Sequence, residues 1–247
     1  MLPRFKLKQP FVYDCYAGEY NVAVENPCYR AIFKASGRTR DRYVYRDTKF
    51  EEYVFRANNA GRKWGAYHFL TPHDISKQFD VFMSVIKKTG IGFMPLSIDV
   101  EILPKDYGVS AVEWGYQIKT FIDMIVKETG YKPIIYTNLY YWSFVNFSGW
   151  YPQDEAFLWV AQYPLAQYID STLRPYPLPK GWYNENWAIW QYFDGGRSES
   201  FFINDLNVVS DWFKTYLDSK WGETITPTPK KFPYSITIND KTYKEAQ

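Results

Sequence analysis

The chain has 247 residues, which fits one barrel-sized domain with a short tail. Apolar residues make up 46% and charged residues 23%, a globular composition that excludes general disorder. Lys+Arg 29 against Asp+Glu 27 leaves a net charge of +2, which gives no electrostatic case for a nucleic-acid partner.

Aromatic residues reach 21%, with 23 Tyr and 10 Trp; part of that excess suits stacking on the flat faces of sugar rings. Cys15 and Cys28 are expected as a reduced pair. With His68 and His73 as the two histidines, no metal site and no cofactor is expected. No apolar run has the length of a membrane span, so no membrane insertion is expected. Residues 1–10 are basic but no apolar segment follows them, so no secretory signal is expected.

In chain order, residues 11–16 read as a strand that ends in polar chemistry at Asp14, and 29–35 as a second strand closed by Ser36-Gly37. Residues 48–60 read as a helix, with Thr48 and Glu51 as a capping box and Gly61 as the stop. Strands are expected at 64–70 and 93–100, with a helix over 74–89 between them. Residues 110–129 carry the clearest helical pattern, opened by Ser110 and Glu113 and closed by Gly130. A strand at 132–137 and a short aromatic helix over 139–147 follow. The rhythm then changes to strands at 156–162, 186–192 and 201–206 joined by loops, with Asp194 in a turn, before a last helix over 208–219.

Repeated strand–helix units imply a parallel sheet with helices outside. About eight strands at this length imply an α/β fold of irregular TIM-like barrel type. The barrel is expected over residues 1–222. Residues 223–247 read as a Pro-rich linker at 226–231 and a short tail with a possible hairpin turning at Asn239-Asp240.

The sharpest chemical signal is Ser97-Ile98-Asp99-Val100-Glu101. Alternation along a strand places Asp99 and Glu101 on one side, roughly 6–7 Å apart. At the C-terminal mouth of a barrel two such acids repel, and one pKa rises enough to keep a general acid protonated. Glycoside hydrolysis needs one acid for the leaving oxygen and one carboxylate for the developing positive charge. The bland alternative is two carboxylates capping a strand in solvent. Asp14 and Asp205 end the first and last expected strands, which are neighbours in a closed barrel, so four acids converge on one mouth. Taken singly, Asp14 also reads as a turn former and Asp205 as a helix N-cap. Tyr67, Tyr136, Trp190 and Tyr192 are candidates for a sugar-stacking floor, while Trp159 reads as core and His68 as a structural histidine.

Several ordered motifs resemble glycoside hydrolase family 25, the Chalaropsis-type lysozymes or muramidases common among phage endolysins. They are Phe11-Val12-Tyr13-Asp14, Lys34-Ala35-Ser36-Gly37, Asp47 with Phe50, Trp64-Gly65-Ala66-Tyr67-His68-Phe69, Asp99-Val100-Glu101, Pro133-Ile134-Ile135-Tyr136-Thr137-Asn138, Leu158-Trp159-Val160-Ala161-Gln162-Tyr163, Trp190-Gln191-Tyr192 and Asp205-Leu206-Asn207. The resemblance covers about residues 10–218. It implies a barrel with helices after only the first five strands, and cleavage of the β-1,4 bond between N-acetylmuramic acid and N-acetylglucosamine in peptidoglycan. It implies Glu101 as general acid, Asp99 as orienting or stabilising partner, and Asp14 and Asp205 as supporting acids. Tyr16, where the family has a small hydroxyl residue, and Arg197 to Phe202, in place of a Gly-rich segment, depart from the pattern and alter the rim.

Two other functions compete. A chitinase-like barrel carries a longer acidic run before its Glu, whereas Leu96-Ser97-Ile98 stands here. A non-hydrolytic glycan-binding or structural module is a different class, and the four acids argue against it. The expected partner is bacterial peptidoglycan. The expected setting is a phage product made in the cytoplasm and acting on the wall, as a released lysin or a virion component held to a phage structural protein through the C-terminal tail.

Overall fold

The computed structural model describes residues 11–16, 28–163, 174–183, 186–193, 205–221, 236–238 and 241–243. The chain begins with β1 (Phe11–Cys15), β2 (Arg30–Arg38), β3 (Val44–Arg46), α1 (Phe50–Asn59), β4 (Trp64–Phe69), α2 (Ile75–Thr89) and β5 (Ser97–Asp99). A 3-10 turn (Pro104–Tyr107), α3 (Ala111–Thr129), β6 (Ile134–Asn138), α4 (Leu139–Trp142), α5 (Pro152–Glu155) and β7 (Phe157–Ala161) follow. The chain then forms β8 (Trp187–Phe193), β9 (Asp205–Val209) and α6 (Asp211–Trp221), and later β10 (Ile236–Ile238) and β11 (Lys241–Tyr243).

The main sheet runs β1-β9-β8-β7-β6-β5-β4-β2-β3, and β1 also pairs with β2, so eight strands close an irregular α/β barrel. Helices follow its second to fifth strands, and α6 follows the eighth. The barrel is mixed, not all parallel. β9 pairs antiparallel with both β8 and β1, because residues 194–204 are too few for the crossover that a parallel return requires. β9 therefore starts at the mouth, and its first residue, Asp205, lies there. The strand expected to end at 206 runs on to Val209, and residues 201–204 lie outside the described residues.

Other boundaries shift for local reasons. β2 runs through Ser36-Gly37 to Arg38, because β3 adds an antiparallel partner over Ser36–Arg38 that the short run Val44–Arg46 did not announce. The strand expected over 93–100 shrinks to Ser97–Asp99. The Thr48–Glu51 capping box does not form: α1 starts at Phe50, Asp47 Oδ1 accepts from the Lys49 backbone N–H at 2.9 Å, and Glu51 reaches Lys88 Nζ at 2.7 Å. The cap of α3 does form, with Ser110 Oγ accepting from the Glu113 backbone N–H at 3.1 Å, and Gly130 ends the helix at φ +75°. The aromatic helix expected to 147 stops at Trp142.

Two apolar layers result. Between sheet and helices lie Phe33, Ile98, Trp114, Phe121, Val160 and Trp190. Inside the barrel lie Val12, Ile32, Tyr67, Tyr136 and Trp159. Phe213, Leu217 and Trp221 of α6 join the interior cluster and close the floor, where Trp212 Nε1 donates to the Trp187 carbonyl at 3.0 Å. Cys15 is buried and Cys28 half-buried, and the two are not bridged to each other. Among the described residues no helix is long and apolar enough to cross a membrane. In the tail, β10 and β11 pair antiparallel, with Ile236 opposite Tyr243. The turn at Asn239-Asp240, the linker at 226–231, Asp194 and residues 1–10 lie outside the described residues.

Candidate active site

Parallel strands that end at one rim bring their last side chains together. Asp14 near the end of β1, Asp99 at the end of β5, Glu101 two residues on, and Asp205 at the start of β9 line one cavity of about 220 Å³. Asp14 and Asp205 are register partners across the β1–β9 ladder. Asp14 and Asp99 are buried; Glu101 and Asp205 are half-buried. Tyr67 and Tyr136 line the same cavity.

Trp190 and Tyr192 do not. They sit buried in the outer layer between sheet and helices, and Trp190 Nε1 donates to the Gln162 carbonyl at 2.7 Å. Alternation along β8 is the reason: with Trp190 and Tyr192 outside, Gln191 points inward. Trp159, read as core from the sequence, lines the cavity. Its ring meets Tyr136 at 4.6 Å and Tyr67 at 6.5 Å, both edge-on.

The four carboxylates divide by what faces them. Asn207 Nδ2 donates to Asp14 Oδ1 at 2.6 Å. Gln191 Nε2 donates to Asp205 Oδ2 at 3.1 Å and, more weakly, to Asp14 Oδ1 at 3.4 Å. Asp99 Oδ1 is buried with no hydrogen-bond partner among the described residues. Burial first, then the charge of Glu101, pushes the Asp99 carboxyl well above its usual range. Burial first, then the charge of Asp205, pushes Glu101 up to about 7. Lys34 opposes both shifts. The result is one pair of acids held by amide donors and another pair whose carboxyls burial and neighbouring charge push upward.

Lys34, Gln191, Asn207 and Asn138 are site residues that strand-end reasoning missed, and Trp159 is one that it weighed and read as core. The Lys34 ammonium lies 4.7 Å from the Phe69 ring centre and 5.6–5.9 Å from those of Tyr16, Tyr67 and Tyr45, a ring-lined seat for a cation. A lysine inside the apolar run Ala31-Ile32-Phe33-Lys34-Ala35 was the available signal. Gln191 Oε1 accepts from Tyr136 Oη at 2.7 Å and from Tyr163 Oη at 2.8 Å, so one amide ties two phenols to two carboxylates. Asn207 Oδ1 accepts from Trp159 Nε1 at 2.7 Å, and Asn138 Nδ2 reaches Glu101 Oε1 at 3.4 Å. His68 points outward: it is fully buried, hydrogen-bonded to Ser36 and Gln78, stacked on Phe121, and pushed by burial down to about 3.

Comparison with known proteins places this geometry. The chain is similar over 150 residues, at 29% identity, to the uncharacterized protein YegX of Escherichia coli K12; the match covers 59% of this chain and 47% of YegX. It thus spans about half the length of the curated relative it matches. Among solved structures it is similar to the spore cortex lytic enzyme SleM of Clostridium perfringens, with TM-score 0.68, 26% identity, and coverage of 84% of this chain and 69% of SleM. It shares its fold with a family 25 lysozyme from Aspergillus fumigatus, with TM-score 0.66, 23% identity, and coverage of 85% and 98%. The profile of Glycosyl hydrolases family 25 matches residues 18–201, most of the barrel, and the chain belongs to that family.

Proposed function

We propose that the chain is a peptidoglycan hydrolase of the muramidase type, cleaving the β-1,4 bond between N-acetylmuramic acid and N-acetylglucosamine. The observation that carries the reading is Glu101, a carboxyl lifted to about 7 inside a cavity shared with three further acids. A group titrating there holds its proton over part of the neutral range and can still give it up. Family membership and the lytic activity named for SleM support the same reading.

In this mechanism Glu101 donates its proton to the glycosidic oxygen as the bond to the anomeric carbon breaks. Asp99 faces the positive charge that develops, and that charge in turn favours its carboxylate form. Asn207 and Gln191 fix Asp14 and Asp205 beside the reacting pair, and the charge of Asp205 helps hold the proton on Glu101. Tyr67, Tyr136 and Trp159 offer ring faces and edges to the sugar.

The test is mass spectrometry of purified peptidoglycan after digestion, with Glu101→Gln as control. Muramic acid at the new reducing ends is expected, with the variant slower by roughly 2–4 orders of magnitude. Near-normal turnover by Glu101→Gln would refute the assignment. The setting in this reading is a phage product, released as a lysin or carried on the virion through residues 223–247. That setting rests on the sequence resemblance, and detection of the chain in purified virions tests it.

A further inference from the structure

A second cavity, of about 700 Å³, opens on the side of the barrel, where the segment after α4 crosses the first turn of α3. Its wall is aromatic, with Trp142, Phe147, Trp150 and Tyr151, and Lys180 stands at its edge. The Trp142 and Phe147 rings stack with centres 6.2 Å apart and planes 21° from parallel; Trp150 meets Phe147 edge-on at 6.0 Å. Lys180 Nζ lies 5.6 Å from the Phe147 ring centre.

The wall is held in place. The Asn146 backbone N–H donates to the Ala111 carbonyl at 3.0 Å. A Cβ on Gly115 would strike the Asn146 carbonyl, so the segment lies directly on α3. Trp142 Nε1 donates to the Lys180 carbonyl at 2.7 Å. Trp150 differs: it is 7% exposed, yet its indole N–H has no acceptor among the described residues. A buried donor without a partner is costly, and an acceptor brought by a ligand would satisfy it. Tyr151 is 63% exposed beside it, a large ring offered to solvent.

One short helix links the cavity to the cleavage site. α4 starts directly after Asn138, whose side chain reaches Glu101, and its four residues span only about 6 Å. We propose that this cavity is a second binding site for the wall polymer, which holds a stretch of N-acetylated, carboxylate-bearing glycan outside the cavity where cleavage occurs. The inference rests on the hydrolase reading for its ligand. The exposed Tyr151 ring and the half-buried Phe147 ring stack on sugar faces, the Trp150 N–H donates to an acetamido carbonyl, and Lys180 pairs with a stem-peptide carboxylate. Uncharged apolar partners would leave both Lys180 and the Trp150 donor unanswered.

The test separates binding from turnover. Tyr151 and Lys180 are both exposed and lie outside the cleavage cavity, so Tyr151→Ala with Lys180→Ala leaves the barrel intact. In a Glu101→Gln background the double variant is expected to bind purified insoluble peptidoglycan about tenfold more weakly. With Glu101 restored, hydrolysis of intact walls falls by a similar factor while kcat/KM on a soluble tetrasaccharide is unchanged. Trp150→Phe, which keeps a ring and removes the donor, shifts wall binding in the same direction. On chitin, which lacks the carboxylates, Tyr151→Ala weakens binding and Lys180→Ala does not. Unaltered wall binding and wall hydrolysis in the double variant overturns the proposal. If the parent chain leaves the tetrasaccharide uncut, the hydrolase reading fails, and the wall-binding comparison still decides the second site.

Discussion

Asp14 and Asp205 stand opposite each other across the antiparallel β1–β9 ladder, and the Gln191 side-chain amide donates to both. The same amide accepts from Tyr136 and Tyr163. Four groups from four strands or strand ends are thus referred to one side chain, itself 1% exposed. In the proposed mechanism Gln191 is a positioning residue that acts through these neighbours.

Gln191→Leu removes both donors and the acceptor while roughly keeping volume. It is expected to lower kcat on soluble muropeptides by about 10–100-fold with a small change in KM, since misplaced reacting groups cost rate more than binding. Gln191→Glu keeps the acceptor for the phenols but sets a carboxylate against Asp14 and Asp205, and should displace the pH profile as well. Equal kinetics in wild type and Gln191→Leu would show that the carboxylates are held without it.

The Glu101 shift sets a pH dependence. In the proposed mechanism Glu101 must hold its proton as the acid, so activity should fall as pH rises through about 7. Lys34 opposes the shift, so Lys34→Met should move that limb upward. Stability follows the same sign. The folded state holds the proton more tightly than the unfolded chain, so stability declines as pH rises from about 4.5 to about 7. Glu101→Gln should then raise the Tm at pH 8 and gain little at pH 4, a difference of roughly 1–3 kcal/mol. A pH-independent ΔTm, measured by differential scanning fluorimetry, would contradict the burial argument.

Asp99 bears on stereochemistry. With an N-acetyl sugar at the cleavage point, the substrate's own acetamido oxygen can attack the anomeric carbon, leaving Asp99 to stabilise the cyclic cation. Retention is the expected outcome, and Asp99→Asn should lose at least about 100-fold in kcat while binding substrate. Proton NMR of the first-formed anomer decides it, and immediate inversion rules the route out.

The tail boundary can be drawn from packing. α6 runs to Trp221, which is 3% exposed in the barrel-floor cluster and contacts the Tyr131 ring at 4.7 Å. Truncation after Ser219 would strip that residue and destabilise the floor, whereas truncation after Gly222 keeps it. The shorter chain ending at 222 is expected to cleave soluble muropeptides normally and to lose attachment to walls or to a virion partner. Parallel kinetics on fragments and intact cells check this; loss of fragment cleavage in a folded chain would place the tail in the active site.

Local pattern was enough for α2 and α3, whose apolar spacing and terminal glycines are properties of short segments. It was enough to place Asp99 and Glu101 together, because strand alternation is also local. The order of motifs pointed to the barrel, and with it to Asp14 and Asp205. Tertiary structure decided the rest. The direction of β9 depends on how few residues join it to β8, and that direction brings Asp205 to the mouth at the start of its strand. Which face of β8 looks inward depends on sheet closure, so Trp190 and Tyr192 turned out to be outer core and Gln191 the inner residue. Partners such as Gln191 with Asp14, separated by 177 positions, exist only once the barrel closes. The sequence alone therefore carried the acids, while closure of the sheet determined which neighbours face each one.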